Sequence, residues 1–216
     1  MALAHSPKIV TDNLALLLDA GNIKSYPGTG TTWTDLSGNG NDATLVNGPV
    51  YNSADGGYID FDGTNDYASL PNNVTDLSGD WAISVWMKPN SDSNPRVVTL
   101  ITTLDNLEVG YMETTLKPYI RLDDSVVSST QSLVAATWVN VVYQSSSSVR
   151  QVYINAVATT VTSGGIGANG QRSAIGGGYT GYDMNGDISL GAVYSRALSA
   201  AEVAQNFNAL RGRYGI

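Results

Sequence analysis

The chain has 216 residues, 42% of them apolar and only 14% charged, with a formal net charge of -8. A chain of this size and apolar content can bury a full core, and all-β sandwiches of this length commonly form one domain. The excess negative charge and the scattered Lys and Arg argue against a nucleic-acid partner. The absence of cysteine excludes disulfides and cysteine-ligated metals, and no apolar run approaches the roughly 20 residues that span a bilayer.

Met1 to Asn13 reads as a short polar arm holding the only histidine, His5. An arm of this kind is disordered or lies on a neighbouring subunit, and a tether through Ala2, Leu3, His5 and Pro7 is the preferred reading. Residues 14–216 then form one domain. Leu14 to Asp19 is a short apolar strand with no basic region before it, so no signal peptide is expected. Asp19 and Asn22 suit turn capping better than metal binding. Tyr26 to Val50 is rich in loops, punctuated by Pro27-Gly28, Asn39-Gly40 and Asn47-Gly48, with Trp33 covering one end of the core. Ile59 to Leu70 reads as a hairpin about Asp62-Gly63-Thr64-Asn65-Asp66. Those oxygen-bearing side chains suit a turn, and the frame of an EF-hand calcium loop is missing.

Trp81 to Met87 is apolar at both odd and even positions, as expected of a central strand covered on both faces. Val97 to Thr102 is extended and leads to Leu104-Asp105-Asn106-Leu107. Tyr119 to Leu122 and Val126-Val127 flank a hairpin tip at Asp123-Asp124. Trp138 to Tyr143 and Val149 to Ile154 are two strands across the serine run Ser145 to Ser148, which reads as a flexible turn without chemistry. Thr159 to Gly178 is rich in glycine, but no lysine-serine or lysine-threonine pair follows, so it is no phosphate loop. Asn185-Gly186 signals a two-residue hairpin, followed by a half-buried strand through Ile188, Leu190, Ala192 and Tyr194. Ser199 with Glu202 forms a capping box, opening a helix that buries Val203, Phe207 and Leu210. Arg211 and Arg213 close the chain and suit either an acidic partner surface or a solvated end.

The strand, turn and capped helix between Asp183 and Leu210 resemble the closing element of laminin-G-like, concanavalin A-like jelly-roll domains. Five further stretches are similar to that family in the expected order: Trp33 to Asn41, Ile59 to Tyr67, Trp81 to Pro89, Thr137 to Tyr143 and Val152 to Ala156. Ala156 departs from the family's usual Asn-Gly turn. The resemblance implies an all-β fold, a two-sheet antiparallel jelly-roll sandwich with one short C-terminal helix. It also implies a place for calcium at Asp105 and Asn106, similar to the site in pentraxins, with turn chemistry as the alternative reading.

Catalysis is not expected. The only histidine lies in the arm, and no Gly-x-Ser-x-Gly elbow occurs. Glycosidases need paired carboxylates, yet Glu202 serves the cap, while Glu108 and Glu113 are five apart and fall on opposite faces of a regular strand. An unusual Asp pair is left open.

Two non-catalytic readings remain. In the first the chain is a phage virion protein, made in the host cytoplasm and released by lysis. It would decorate or cement the capsid, or serve the tail, as a homo-oligomer or lattice among other virion proteins. In the second it binds host-surface glycans as a receptor-binding module of a tail or head fibre, through Tyr179, Tyr182 and Asp183 and with calcium in acidic loops. Decoration is preferred, because the chain shows neither heptads nor internal repeats of a fibre stalk.

Overall fold

Alternating apolar residues over most of the chain leave many short strands, each of which must find partners for its backbone and cover for its apolar face. A computed structural model describes residues 8–71, 74, 79–90, 107–112, 114–123, 125–163, 173–177 and 183–216, and the backbone of 97–102. In chain order the strands are β1 (Leu14–Asp19), β2 (Thr32–Trp33), β3 (Ala43–Val46), β4 (Val50–Asn52), β5 (Tyr58–Asp62), β6 (Tyr67–Ser69), β7 (Trp81–Pro89), β8 (Val97–Thr102) and β9 (Leu107–Met112). They continue with β10 (Lys117–Leu122), β11 (Ser125–Ser129), β12 (Val139–Ser146), β13 (Val149–Ile154), β14 (Val157–Ala158), β15 (Val161–Ser163), β16 (Ala174–Ile175) and β17 (Asn185–Tyr194), and helix α1 spans Ala200–Leu210.

Two antiparallel sheets form the sandwich. The first runs β14-β13-β12-β7-β17-β5-β4, with β1 paired to the second half of β17. The second runs β15-β11-β10-β9-β8-β16-β6-β3-β2. The expected jelly roll with one C-terminal helix is therefore what the chain adopts. Among the described residues no helix is long and apolar enough to cross a membrane.

The predicted central strand, β7, lies between β12 and β17, and its apolar residues on both faces are covered by two different clusters. Its Trp81, Ile83, Val85 and Met87 face the core between the sheets, together with Leu16, Trp33, Val109, Ile120 and Val141. Its Ala82 and Trp86 face outward into a second apolar cluster, roofed by Leu198, Val203 and Tyr214. Helix α1 thus docks on the outer face of the first sheet. Ser199 caps it by accepting from Glu202 N, while Glu202 accepts in return from Ser199 N. The two hydrogen bonds that Arg196 donates and those from Ser199 pull the Glu202 carboxyl down to about 2.

Four expectations need correction. First, Asn185-Gly186 is no turn. Asn185 is paired with Asp62, and Gly186 sits at φ 141 where a Cβ would come 2.5 Å from Lys88 O, so the glycine serves a close approach of backbones. Second, Ile59 to Leu70 is no hairpin. β5 joins β17 and β4 in the first sheet, whereas β6 joins β3 and β16 in the second. Asp62 Oδ1 accepts from Thr64 N at 2.8 Å, so the turn is a crossover between sheets, held by the expected side-chain capping.

Third, the described part of the N-terminal stretch is docked on its own domain. Val10 N donates to Asn206 Oδ1 at 2.7 Å, and Val10 O accepts from Tyr194 Oη at 3.0 Å. Gln205 Nε2 donates to Lys8 O at 2.7 Å. Ala2, Leu3, His5 and Pro7 lie outside the described residues. Fourth, the C-terminal end is neither a solvated tail nor a free basic patch. Arg213 makes a two-pronged ion pair with Asp19, at 2.6 and 3.0 Å, and Tyr214 is buried. Asp19 Oδ1 also accepts from Gly21 N at 2.9 Å, as its expected turn role requires.

The hairpin made uncertain by Ala156 does form. Asn155 and Ala156 take φ 49 and 64, the left-handed pair of a type I′ turn, between β13 and β14. Asn140 fixes it by donating its N to Asn155 Oδ1 and accepting Asn155 N, both at 2.9 Å. A left-handed alanine is strained by about 1 kcal/mol. Ala156→Gly is therefore expected to raise stability by about 0.5–1 kcal/mol, read as a higher urea midpoint at constant slope.

Candidate functional site

Of the residues that the sequence points to, Asp105, Asn106, Tyr179 and Tyr182 lie outside the described residues. Asp183 is buried just ahead of β17. Its Oδ1 stands where a Cβ on Gly177 would come within 2.5 Å, so the carboxyl is packed against that backbone. Among the described residues no group of three or more His, Asp or Glu is placed to hold a metal ion.

Glu108 is closed off from solvent on β9, in register with Arg121 of β10. The Tyr119 hydroxyl donates to its Oε1, and Arg121 Nη1 lies 3.9 Å from Oε2. A carboxylate this enclosed and this close to a guanidinium organises the sheet.

A second polar group went unseen in the sequence. On the outer face of the first sheet, Asp187 of β17 stands opposite both Asp60 of β5 and Lys88 of β7. Lys88 Nζ is 2.7 Å from Asp187 Oδ2 and 3.7 Å from Asp55 Oδ2. It also lies 4.9 Å from the Tyr58 ring centre and 5.2 Å from that of Trp138, whose Nε1 donates to Asp55 Oδ2 at 2.8 Å. Burial raises the Asp187 carboxyl against the pull of Lys88, and burial likewise raises Asp60. The same burial disfavours the Lys88 ammonium, but its hydrogen bond and charge pairing with Asp187 more than reverse this. These residues are far apart in the chain, and only strand register brings them together.

The open polar concavity lies at the other end of β7. Gly79, Asp80, Trp81, Leu122, Ser145, Ser147, Ser148 and Arg150 line a cleft of about 350 Å³. Its wall is the β12–β13 turn, where Ser147 and Ser148 take φ 49 and 66. Asp80 holds that turn by accepting from Ser147 N at 2.7 Å and Ser146 Oγ at 3.2 Å. Arg150 is braced across the cleft by Ser125, at 2.7 Å to its O and 2.8 Å to its Oγ. The serine run that looked inert in the sequence thus presents hydroxyls beside a carboxylate and a guanidinium. A second depression of about 350 Å³, lined by Gln131, Ser132, Ile154, Asn155 and Val157, has fewer convergent polar groups and no charge.

The family model for the concanavalin A-like lectin/glucanases superfamily matches residues 62–204, about two thirds of the chain. The chain belongs to this superfamily. No curated protein matches it significantly in sequence. Solved structures share its fold at low identity. Domain 4 of an extracellular arabinanase from Geobacillus stearothermophilus, in complex with arabinotriose, is 17% identical with a TM-score of 0.67, covering 90% of this chain and 98% of that one. Botulinum neurotoxin type C, whose cell entry depends on interaction with two ganglioside molecules, is 15% identical with a TM-score of 0.67, over 93% of this chain and 52% of that one. Trypanosoma rangeli sialidase in complex with 2,3-difluorosialic acid is 13% identical with a TM-score of 0.67, over 98% and 36% respectively. This lectin-like chain therefore spans about half of the neurotoxin chain and about a third of the sialidase.

Proposed function

We propose that this lectin-like domain is a non-catalytic glycan-binding module on the surface of a phage particle, taking one sugar unit in the cleft beside the β12–β13 turn. The observation that carries the reading is the cleft itself: a carboxylate, a guanidinium and three serines converge on a volume at the small end of the range for ligand pockets. Alternating donors and acceptors of this kind match the hydroxyls of a pyranose. Domain 4 of the arabinanase, solved with arabinotriose, supports a sugar-binding use of the fold. Glu108 is enclosed and Glu202 is committed to the helix cap, which supports binding without hydrolysis. Screening a glycan array with the protein and with Arg150→Ala tests this. The variant is expected to bind about tenfold more weakly, for loss of a charge-assisted hydrogen bond, with its melting temperature unchanged. Absence of any glycan signal from the parent protein would remove the proposal. Calcium at Asp105 and Asn106 belongs to the same reading, and a melting temperature identical in calcium and in chelator would remove it.

A second reading, capsid decoration, is favoured by the placement of the aromatics. All four tryptophans, Trp33, Trp81, Trp86 and Trp138, are buried, so none offers a sugar-stacking platform. Gold-labelled antibody on purified particles separates the two. Label spread over the shell supports decoration, and label confined to the tail supports receptor binding. If Ala2, Leu3, His5 and Pro7 form a tether, deleting Met1 to Ser6 releases the protein from particles without lowering its melting temperature.

A further inference from the structure

We infer that the cleft beside the β12–β13 turn selects an acidic sugar, with Arg150 taking its carboxylate. This rests on the glycan-binding reading and narrows the ligand from any pyranose to one that carries an acid group. Neutral partners place the guanidinium. Arg150, on β13 of the first sheet, donates from Nη1 to Ser125 O at 2.7 Å and from Nη2 to Ser125 Oγ at 2.8 Å, reaching across to β11 of the second sheet. A carbonyl and a hydroxyl fix its position without neutralising its charge.

Other arginines of the chain are held differently. Arg121, Arg196 and Arg213 each lie within ion-pair reach of a carboxylate, and Arg211 lies over the Phe207 ring. Among the described residues no carboxylate is paired with Arg150. Asp80 lines the same cleft, but it spends Oδ1 on Ser147 N at 2.7 Å and Oδ2 on Ser146 Oγ at 3.2 Å. Its charge turns a bound acid group away from itself and toward Arg150.

Ser125 occupies the end of the planar guanidinium, through both Nη atoms. The edge formed by Nε and Nη2 is left over, and such an edge matches the two oxygens of a carboxylate side by side. Because the group is already held, little side-chain freedom is lost on binding. Ser147 and Ser148, exposed on the turn, offer hydroxyls to the rest of the sugar. The net charge of -8 does not forbid such a ligand. At about 0.15 M salt the Debye length is about 8 Å, so a single acid group in the cleft meets chiefly Arg150 and Asp80.

Calorimetry of the full chain at that salt concentration is the test. The probes are oligogalacturonate, oligoglucuronate, oligomannuronate and sialyllactose, each paired with its carboxyl-reduced form, which keeps the ring and loses the charge. For at least one pair the acid is expected to bind at least about tenfold more tightly than its neutral partner. The hexuronates and sialyllactose separate an acid on the exocyclic carbon from one on the anomeric carbon. In Arg150→Gln the two members of the responding pair should bind alike, with the melting temperature unchanged. Binding of neutral sugars alone, or of both members equally, by the parent protein would overturn the acidic preference and leave the glycan reading standing. A preference that survives in Arg150→Gln would overturn Arg150 as its source. If the parent binds nothing in this set and nothing on the glycan array, the glycan reading falls and the acidic preference with it. The parent comparison decides the matter without requiring any variant to fold.

Discussion

Tyr214→Ala is expected to cost about 4 kcal/mol, a large share of the roughly 5–15 kcal/mol that holds a domain together. The ring is buried beneath the outer face of the first sheet, 4.2 Å from Trp86 in a stacked pair and 4.9 Å from Trp138. Its hydroxyl donates to Ser189 Oγ at 2.9 Å, and burial pushes the phenol up to about 12. Truncation leaves a void between two tryptophans that β7 and β12, paired on both sides, cannot collapse to fill. Tyr214→Phe keeps the ring and loses only the hydrogen bond, so about 1 kcal/mol is expected for it. Urea unfolding of both variants gives the comparison. Equal losses would show that the ring stack contributes little.

Gly57→Ala is expected to cost about 4 kcal/mol, by strain and collision together. Gly57 sits at φ 98 and ψ 129, a region that side-chain-bearing residues avoid. A Cβ there would meet Gly21 Cα at 2.7 Å and Ala20 O at 2.8 Å. The junction cannot widen cheaply. Ser189 Oγ donates to Gly57 O at 2.6 Å, Ala20 N donates to Ser189 O at 2.8 Å, and Arg213 packs against Gly56 while pairing with Asp19. Gly30→Ala is the matched control, because that glycine also has a positive φ but nothing lies within 4 Å of its Cβ position. Its cost should be about 1 kcal/mol, from strain alone. If the two variants melt together, the close packing of the junction is not limiting.

Local chemistry was legible wherever neighbours in the chain decide the outcome. The capping box of Ser199 and Glu202 forms as read, because three residues of helix bring both partners together. The hairpin from β10 to β11 and the two-faced burial of β7 were equally plain, since alternation and turn residues encode them directly. The serine turn was placed to within two residues, since Ser147 and Ser148 turn while Ser145 and Ser146 end β12, although its role in a cleft depends on Asp80, just ahead of β7, reaching it.

The errors share one cause. Asn185-Gly186 carries the side chains of a turn, but a ten-residue strand is paired along that stretch on both sides and overrides the local preference. Asp62 to Asp66 does turn the chain, yet whether the strands beside it pair or part to different sheets depends on what else each edge can bind. The family and its jelly-roll class were legible in the sequence because several short stretches occur in the expected order, and the central strand and the capped helix because each rests on spacing within one segment. The tertiary structure alone decided the docking of Lys8 to Asn13 and Tyr214, the Asp19–Arg213 clasp, the cleft at Asp80, and the meeting of Asp60, Asp187 and Lys88. Register between strands distant in the chain sets those contacts, and no local pattern carries it.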